Sequence, residues 1–312
     1  NVILNKFDAS GWIKQYSVFT LPGKDKSGEQ KTNQDSFVFK TNINKIRDFN
    51  IFGVLDGHGP DGHFISKFAS EFIPHQIINN PQIKALTDPE KIYQKLKENN
   101  CQIITQSYIE ADNKLKNANF DVLESGSTCV LVIHIGSHII CANVGDSRAI
   151  VVFDEKGENN VNHFKEIPLS IDYKPEIPEE TNRILRSGGV IAQIKDELGE
   201  GVGPYRVWAR GQDDPGLAMS RSIGDLKSKN IGIIPSPGIL EYNLSKNTKY
   251  IVVCSDGVWE FLDNKTVKDM GKNHYMDKNP TTFCHELVNQ SLILWELNDI
   301  VVDDITALVA FF

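Results

Sequence analysis

Three β-rich runs, Cys129–Ile135, His138–Val144 and 149–153, follow one another with only "GS" and "GDSR" between them. Connections this short leave room for hairpins alone, because a parallel crossover needs a dozen or more residues. The segment therefore predicts neighbouring antiparallel strands and disfavours a doubly wound parallel nucleotide-binding sheet. Both faces of these runs are apolar, so the sheet is expected to be covered on both sides. Sheets stacked in the middle, with helices outside, meet that need.

The flanking sequence supplies the helices. "NIFGVLD" reads as a buried strand, after which "FISKFASEFI" switches to a helical period. Phe64, Phe68 and Phe72 recur every four residues beside Ile65 and are expected to pack on the sheet. A longer helix starts at Pro89 with Asp88 as its cap and carries Ile92, Leu96, Ile103, Ile104 and Leu115 to about residue 117. From 170 to 215 the chain turns polar and broken. One short helix, about 179–187, is stopped by Gly188-Gly189, and the remainder reads as an irregular flap beside a site. A helix over about 280–297 and the strand "ITALVAFF" follow. The 312 residues contain no internal repeat or long linker. The expectation is one α+β domain over 1–312: a central antiparallel β-sandwich flanked by antiparallel helix pairs, with a flap at about 170–215.

Acidic residues exceed basic ones 41 to 33, which disfavours nucleic acid as a partner, since phosphate-backbone binding needs a concentrated basic face. No apolar run is long enough to span a membrane. The five cysteines are odd in number, scattered and without a CxxC pair, which reads as buried free thiols in a reducing compartment, cytoplasmic and/or nuclear. The chain opens on Asn rather than Met, so it reads as trimmed, with any targeting or lipidation segment outside it.

Carboxylates recur where strands end. Asp56 follows "FGVL", Asp256 follows "IVVCS", Asp146 sits in the turn after "CANVG", Asp303 precedes "ITALVAFF", and Asp35 precedes "SFVF". Singly, an Asp-Gly pair such as Asp56-Gly57 or Asp256-Gly257 is more often a plain turn. Five acids at the ends of apolar strands point further, because strand ends at one rim of a sandwich converge in space. Clustered carboxylates repel unless a cation neutralises them, and Mg²⁺ or Mn²⁺ prefers such oxygen ligands. Two ions sharing a carboxylate suit displacement at phosphorus, and Asp56, with the Gly57 carbonyl beside it, is the natural bridge.

The blocks "NQDSF", "GVLDGHG", "SGSTCVL", "ANVGDSRA", "DYKP", "ETNRILRSGGVI", "PGLAMSRSIGD", "SDGVWEFL" and "DDIT" occur in the order found in type 2C metal-dependent serine/threonine protein phosphatases. The chain resembles that family over about residues 19–312. The resemblance implies an α-β-β-α sandwich and hydrolysis of phosphoserine and phosphothreonine in phosphoprotein substrates by a water bridging two Mg²⁺ or Mn²⁺ ions. It implies Asp56 as the bridging carboxylate, the Gly57 carbonyl as a ligand of one ion, and Asp256 and Asp303 as ligands of the other. Asp35 resembles the acid that holds metal-bound water, and His58 the general acid. Asp146 with Glu260 resembles a weaker third-metal site.

The sequence departs from the family at several of these positions. Glu260 stands where some members have Asp, Tyr173 where His is common, and Asp304 where Asn is common. Gln30 occupies the position of a phosphate-binding Arg, leaving the neighbouring Lys31 as the candidate phosphate contact, a point charge without the guanidinium fork. Asp225 either faces the site or, as the main expectation, is structural with its carboxylate satisfying local amides; Arg148 and Arg183 read as structural ion-pair partners. Two rival readings stand beside the catalytic one: a protein-binding module without turnover, and a hydrolase of small phosphate esters or nucleotides.

Overall fold

The computed structural model describes residues 6–7, 11–156, 162–212 and 214–312. Two antiparallel sheets face each other. One runs in the order Lys6–Phe7, Gln15–Leu21, Ile305–Phe311, Thr248–Cys254, Arg148–Lys156, Asn162–Pro168. The other runs Gly238–Asn243, His138–Val144, Cys129–Ile135, Phe49–Leu55, Ser36–Lys40. The hairpin expected at "GS" is present: Cys129 pairs with Val144 and Ile135 with His138. The "GDSR" link does not make the expected hairpin: it carries the chain from one sheet to the other, His138–Val144 pairing with Gly238–Asn243 and Arg148–Lys156 with Thr248–Cys254 and Asn162–Pro168.

Strand periodicity divides each run between two cores. In Cys129–Ile135, residues 129, 131, 133 and 135 face a helix layer, while Val130 and Val132 face the other sheet. The inter-sheet core joins Val130 and Val132 to Phe52, Val54, Val151, Ile251, Val253 and Leu308. Helices Gly62–Asn79 and Pro89–Leu115 cover one outer face, and Asn264–Met276 with Pro280–Asn298 cover the other. The α-β-β-α sandwich expected from doubly apolar strands is therefore the observed fold. Each fully buried Ile or Leu in these layers contributes about 1.5–3 kcal/mol. All five cysteines are free and buried. No helix among the described residues is long and apolar enough to cross a membrane.

Three local expectations need correction. The stripe that Gly62–Asn79 buries is Ile65, Ala69, Ile73 and Ile77, whereas Phe64 is 48% exposed and Phe68 and Phe72 only flank the core. Aromatic spacing picked the neighbouring face of the helix. The second helix has its Asp88 cap, accepting from the Lys91 N–H at 3.0 Å, but Asn99, Asn100 and Cys101 interrupt it with φ of 51–58°. The segment from 170 to 215 is not irregular. After helix Pro178–Arg186 it forms a sheet of Gly189–Lys195, Gly201–Ala209 and Pro215–Leu217 over a small core of Ile184, Val207 and Ile233.

A further three-stranded ladder positions the site: Gly57 and His58 pair with Ser127 and Gly126, which pair in turn with Ile223 and Gly224. It brings "DGHG", "SGST" and "SIGD" side by side.

Candidate active site

The backbone around each acid is fixed by bonds between strand ends. The Asp56 N–H donates to Thr128 Oγ1 at 2.9 Å, and its carbonyl accepts from the Thr128 N–H at 2.9 Å. Thr128 Oγ1 also meets Ser147 Oγ at 2.7 Å, tying in the turn that carries Asp146. Ser255, which leads into the short helix Asp256–Trp259, donates to Asp35 Oδ2 at 2.8 Å and accepts from the Thr306 N–H at 3.0 Å. One serine thus joins the ends carrying Asp35, Asp256 and Asp303. Close approach requires glycine twice. A Cβ on Gly57 would lie 2.4 Å from the Gly62 carbonyl oxygen, and one on Gly257 would lie 2.1 Å from that of Asp304.

Asp56, Gly57, His58, Asp256 and Asp303 line one pocket of about 530 Å³, with Lys31, Gln34, His63 and Met219 at its walls. The acids repel each other there. Burial, followed by Asp256, Asp35 and Asp303, pushes Asp56 well above the usual carboxylate range. Burial, then Asp146 and Asp303, pushes Asp256 up to about 7. Asp35 is raised by burial and by Asp304 and Asp303, against the hydrogen bonds it accepts. Asp35 Oδ1 and Asp256 Oδ1 are buried without a hydrogen-bond partner among the described residues; Asp146 Oδ1 is too, although Lys174 already pairs with the other Asp146 oxygen. Orphaned, mutually repelling oxygens fit a hard divalent cation. Among the described residues no group of three or more His, Cys, Asp or Glu side chains stands ready to hold a metal ion by itself.

His58 is not a simple turn residue. Its Nε2 lies 2.9 and 3.0 Å from the two Asp225 oxygens, and the Asp225 side chain is 4% exposed. Burial works against protonation of His58, but Asp225 outweighs it and raises the imidazole pKa. Asp225 holds a left-handed backbone with φ of 49°, a strain of the kind found where surrounding structure over-determines a functional residue. Gly126 leaves the space for the pair: a Cβ there would lie 2.0 Å from Asp225 Oδ2 and 2.7 Å from His58 Nε2. Sequence reasoning assigned Asp225 to local amides. Its partner lies 167 residues away, and only the "IGD" glycine turn hinted at a special backbone.

The remaining candidates divide. Lys31 reaches the pocket and places its Nζ 3.3 Å from Asp303 Oδ1. Asp146 is joined by Lys174, a residue the sequence reading passed over. Glu260 is exposed, one turn beyond Asp256. Asp304 is a staple, accepting from the Gly23 N–H at 2.7 Å and the Gln34 N–H at 2.8 Å. Arg148 and Arg183 are ion-paired as expected, with Asp172 and Glu180.

A family model described as Protein phosphatase 2C matches residues 20–293. The chain is 31% identical over 308 residues to Probable protein phosphatase 2C 35 of Arabidopsis thaliana, covering 94% of this chain and 82% of the relative. It is 31% identical over 292 residues to Probable protein phosphatase 2C 12 of Oryza sativa subsp. japonica, covering 83% and 72%. The fold superposes on the crystal structure of serine-threonine phosphatase 2C from Toxoplasma gondii with a TM-score of 0.79 at 20% identity, covering 100% and 98% of the two chains. With sequence and fold in agreement, the chain belongs to the protein phosphatase 2C family of metal-dependent serine/threonine phosphatases.

Proposed function

We propose that this chain hydrolyses phosphoserine and phosphothreonine monoesters of protein substrates in the Asp56 pocket, using two Mg²⁺ or Mn²⁺ ions and His58 as proton donor. The observation that carries the reading is the meeting of Asp56, Asp256 and Asp303 with His58 in one open pocket. Asp56 and the Gly57 carbonyl, Asp256 and Asp303 would hold the ions, with Asp35 beside them to orient water. Bound there, the ions supply an activated water and neutralise charge on the phosphoryl oxygens.

The chain's own groups do the rest. A serine or threonine alkoxide is a strongly basic leaving group and needs a proton as it departs. His58 supplies it, and Asp225 orients the ring by holding Nε2, while Nδ1 is buried without a partner among the described residues. Lys31 offers a positive point charge at the pocket wall for the phosphate. Met219 and His63 shape the wall that a substrate loop must pass.

Phosphate release from phosphoserine and phosphothreonine peptides is measured with Mn²⁺ and with EDTA, beside small esters and nucleotides. Mn²⁺-dependent turnover of the peptides is expected. Turnover of none of the substrates would leave a binding module, and preference for nucleotides a different hydrolase. His58→Ala should slow alkyl esters far more than aryl esters, whose leaving groups need less protonation; equal losses would remove the proton-donor role.

A further inference from the structure

Asp146 is the acid that family resemblance assigns to a third ion, and in this chain a cation already reaches it. Its side chain is 3% exposed, and the Lys174 ammonium contacts Oδ2. The placement of Lys174 is built rather than incidental. The residue before it, Tyr173, donates its N–H to the Gly145 carbonyl at 2.9 Å, fastening the segment to the turn that carries Asp146. The residue before that, Asp172, accepts from Arg148 Nε at 3.0 and 3.2 Å, on the other side of the same turn. Arg221 stacks over the Tyr173 ring at 3.7 Å and holds it down. Both residues ahead of Lys174 are thus clamped to the two flanks of Asp146, and the lysine stem, 31% exposed, has a short path to the carboxylate. Glu260, the second acid expected of a third-ion site, stays exposed to solvent.

We infer that Lys174 serves as a tethered cation that fills the third-ion position at Asp146 and keeps this site to two divalent ions. A divalent ion approaching Asp146 meets an ammonium already paired with Oδ2, has only Oδ1 left without a partner among the described residues, and finds no second carboxylate from Glu260 to offset the repulsion. The inference rests on the reading that Asp56, Asp256 and Asp303 hold divalent ions, and its test separates the two.

Metal-stripped protein is titrated with Mn²⁺ by calorimetry, and bound ion is counted from the loss of the free Mn²⁺ electron paramagnetic resonance signal. Wild type and Lys174→Arg should bind about two equivalents. Lys174→Met should bind about three, and Lys174→Met combined with Asp146→Asn should return to about two. Lys174→Gln substitutes if the methionine variant does not melt cooperatively. A third equivalent in wild type, or none gained on losing Lys174, overturns the inference. Fewer than two equivalents in wild type instead overturns the underlying metal assignment, and this inference with it.

Discussion

Replacing Glu180 by glutamine should destabilise the protein by about 3 kcal/mol at neutral pH, and the loss should shrink in acid. The Glu180 carboxylate is 1% exposed. It accepts from Arg183 at 2.8 and 2.6 Å, from Arg221 at 3.0 and 2.6 Å and from Ser220 Oγ at 2.6 Å. Burial opposes its charged form, but the hydrogen bonds from Arg221, Arg183 and Ser220 outweigh burial and hold its pKa down to about 2. Against an ordinary value of 4.5, that shift corresponds to about 3 kcal/mol. The folded-state pKa lies below the unfolded one, so this stability is fully present above about pH 4.5 and is lost as pH falls toward about 2. At about pH 3 the difference between wild type and Glu180→Gln should be about 2 kcal/mol smaller than at pH 7. Urea unfolding followed by circular dichroism at both pH values measures it. A difference under about 1 kcal/mol at pH 7, or one that does not change with pH, would refute the reasoning. Because Ser220 and Arg221 follow Met219 of the pocket wall, the same variant should also slow phosphopeptide turnover.

Asp225→Asn should reproduce the His58→Ala pattern, with alkyl esters slowed more than aryl esters, and the double variant should be no worse than His58→Ala alone; additive losses would separate the two residues. Gly126→Ala should show the same selective loss while melting as a folded protein, since its methyl group would enter the space between Asp225 and His58. Asp256→Asn should abolish Mn²⁺-dependent turnover yet melt no lower than wild type in EDTA, because it relieves carboxylate repulsion. In EDTA, wild-type stability should fall as pH rises from about 4 to about 7: Asp256 titrates at about 7 in the fold and binds more protons there than in the unfolded chain. Saturating Mn²⁺ should flatten that decline, which scanning calorimetry across the range can follow.

How far the sequence revealed the molecule depended on the range of each interaction. The "GS" link forced antiparallel neighbours and doubly apolar strands required cover on both faces, local properties that the fold obeys; the "GDSR" link, just as short, instead steps between the two sheets, which length alone does not distinguish from a hairpin. The strand-end acids were legible for the same reason, because Asp56, Asp256 and Asp303 each abut a β run. Pairings across the chain were not. Asp225 meets His58, and Lys174 meets Asp146, only after the ladder and the sandwich close, and no adjacent residue names either partner. The flap sheet was hidden by its composition: glycines at 199, 201 and 203 and a charged tip mask the alternation of "GVIAQIK" and "YRVWA". The Phe64, Phe68 and Phe72 reading failed because bulk suggested burial where the smaller Ala69 and the β-branched Ile65 and Ile73 fit against the sheet.

The strand Ile305–Phe311 lies between Gln15–Leu21 and Thr248–Cys254. The middle of this sheet therefore cannot close until nearly all of the 312 residues have been made. Asp35 and Asp56 leave the exit tunnel early, but they must wait until some 250 further residues have emerged before Asp303 can join them.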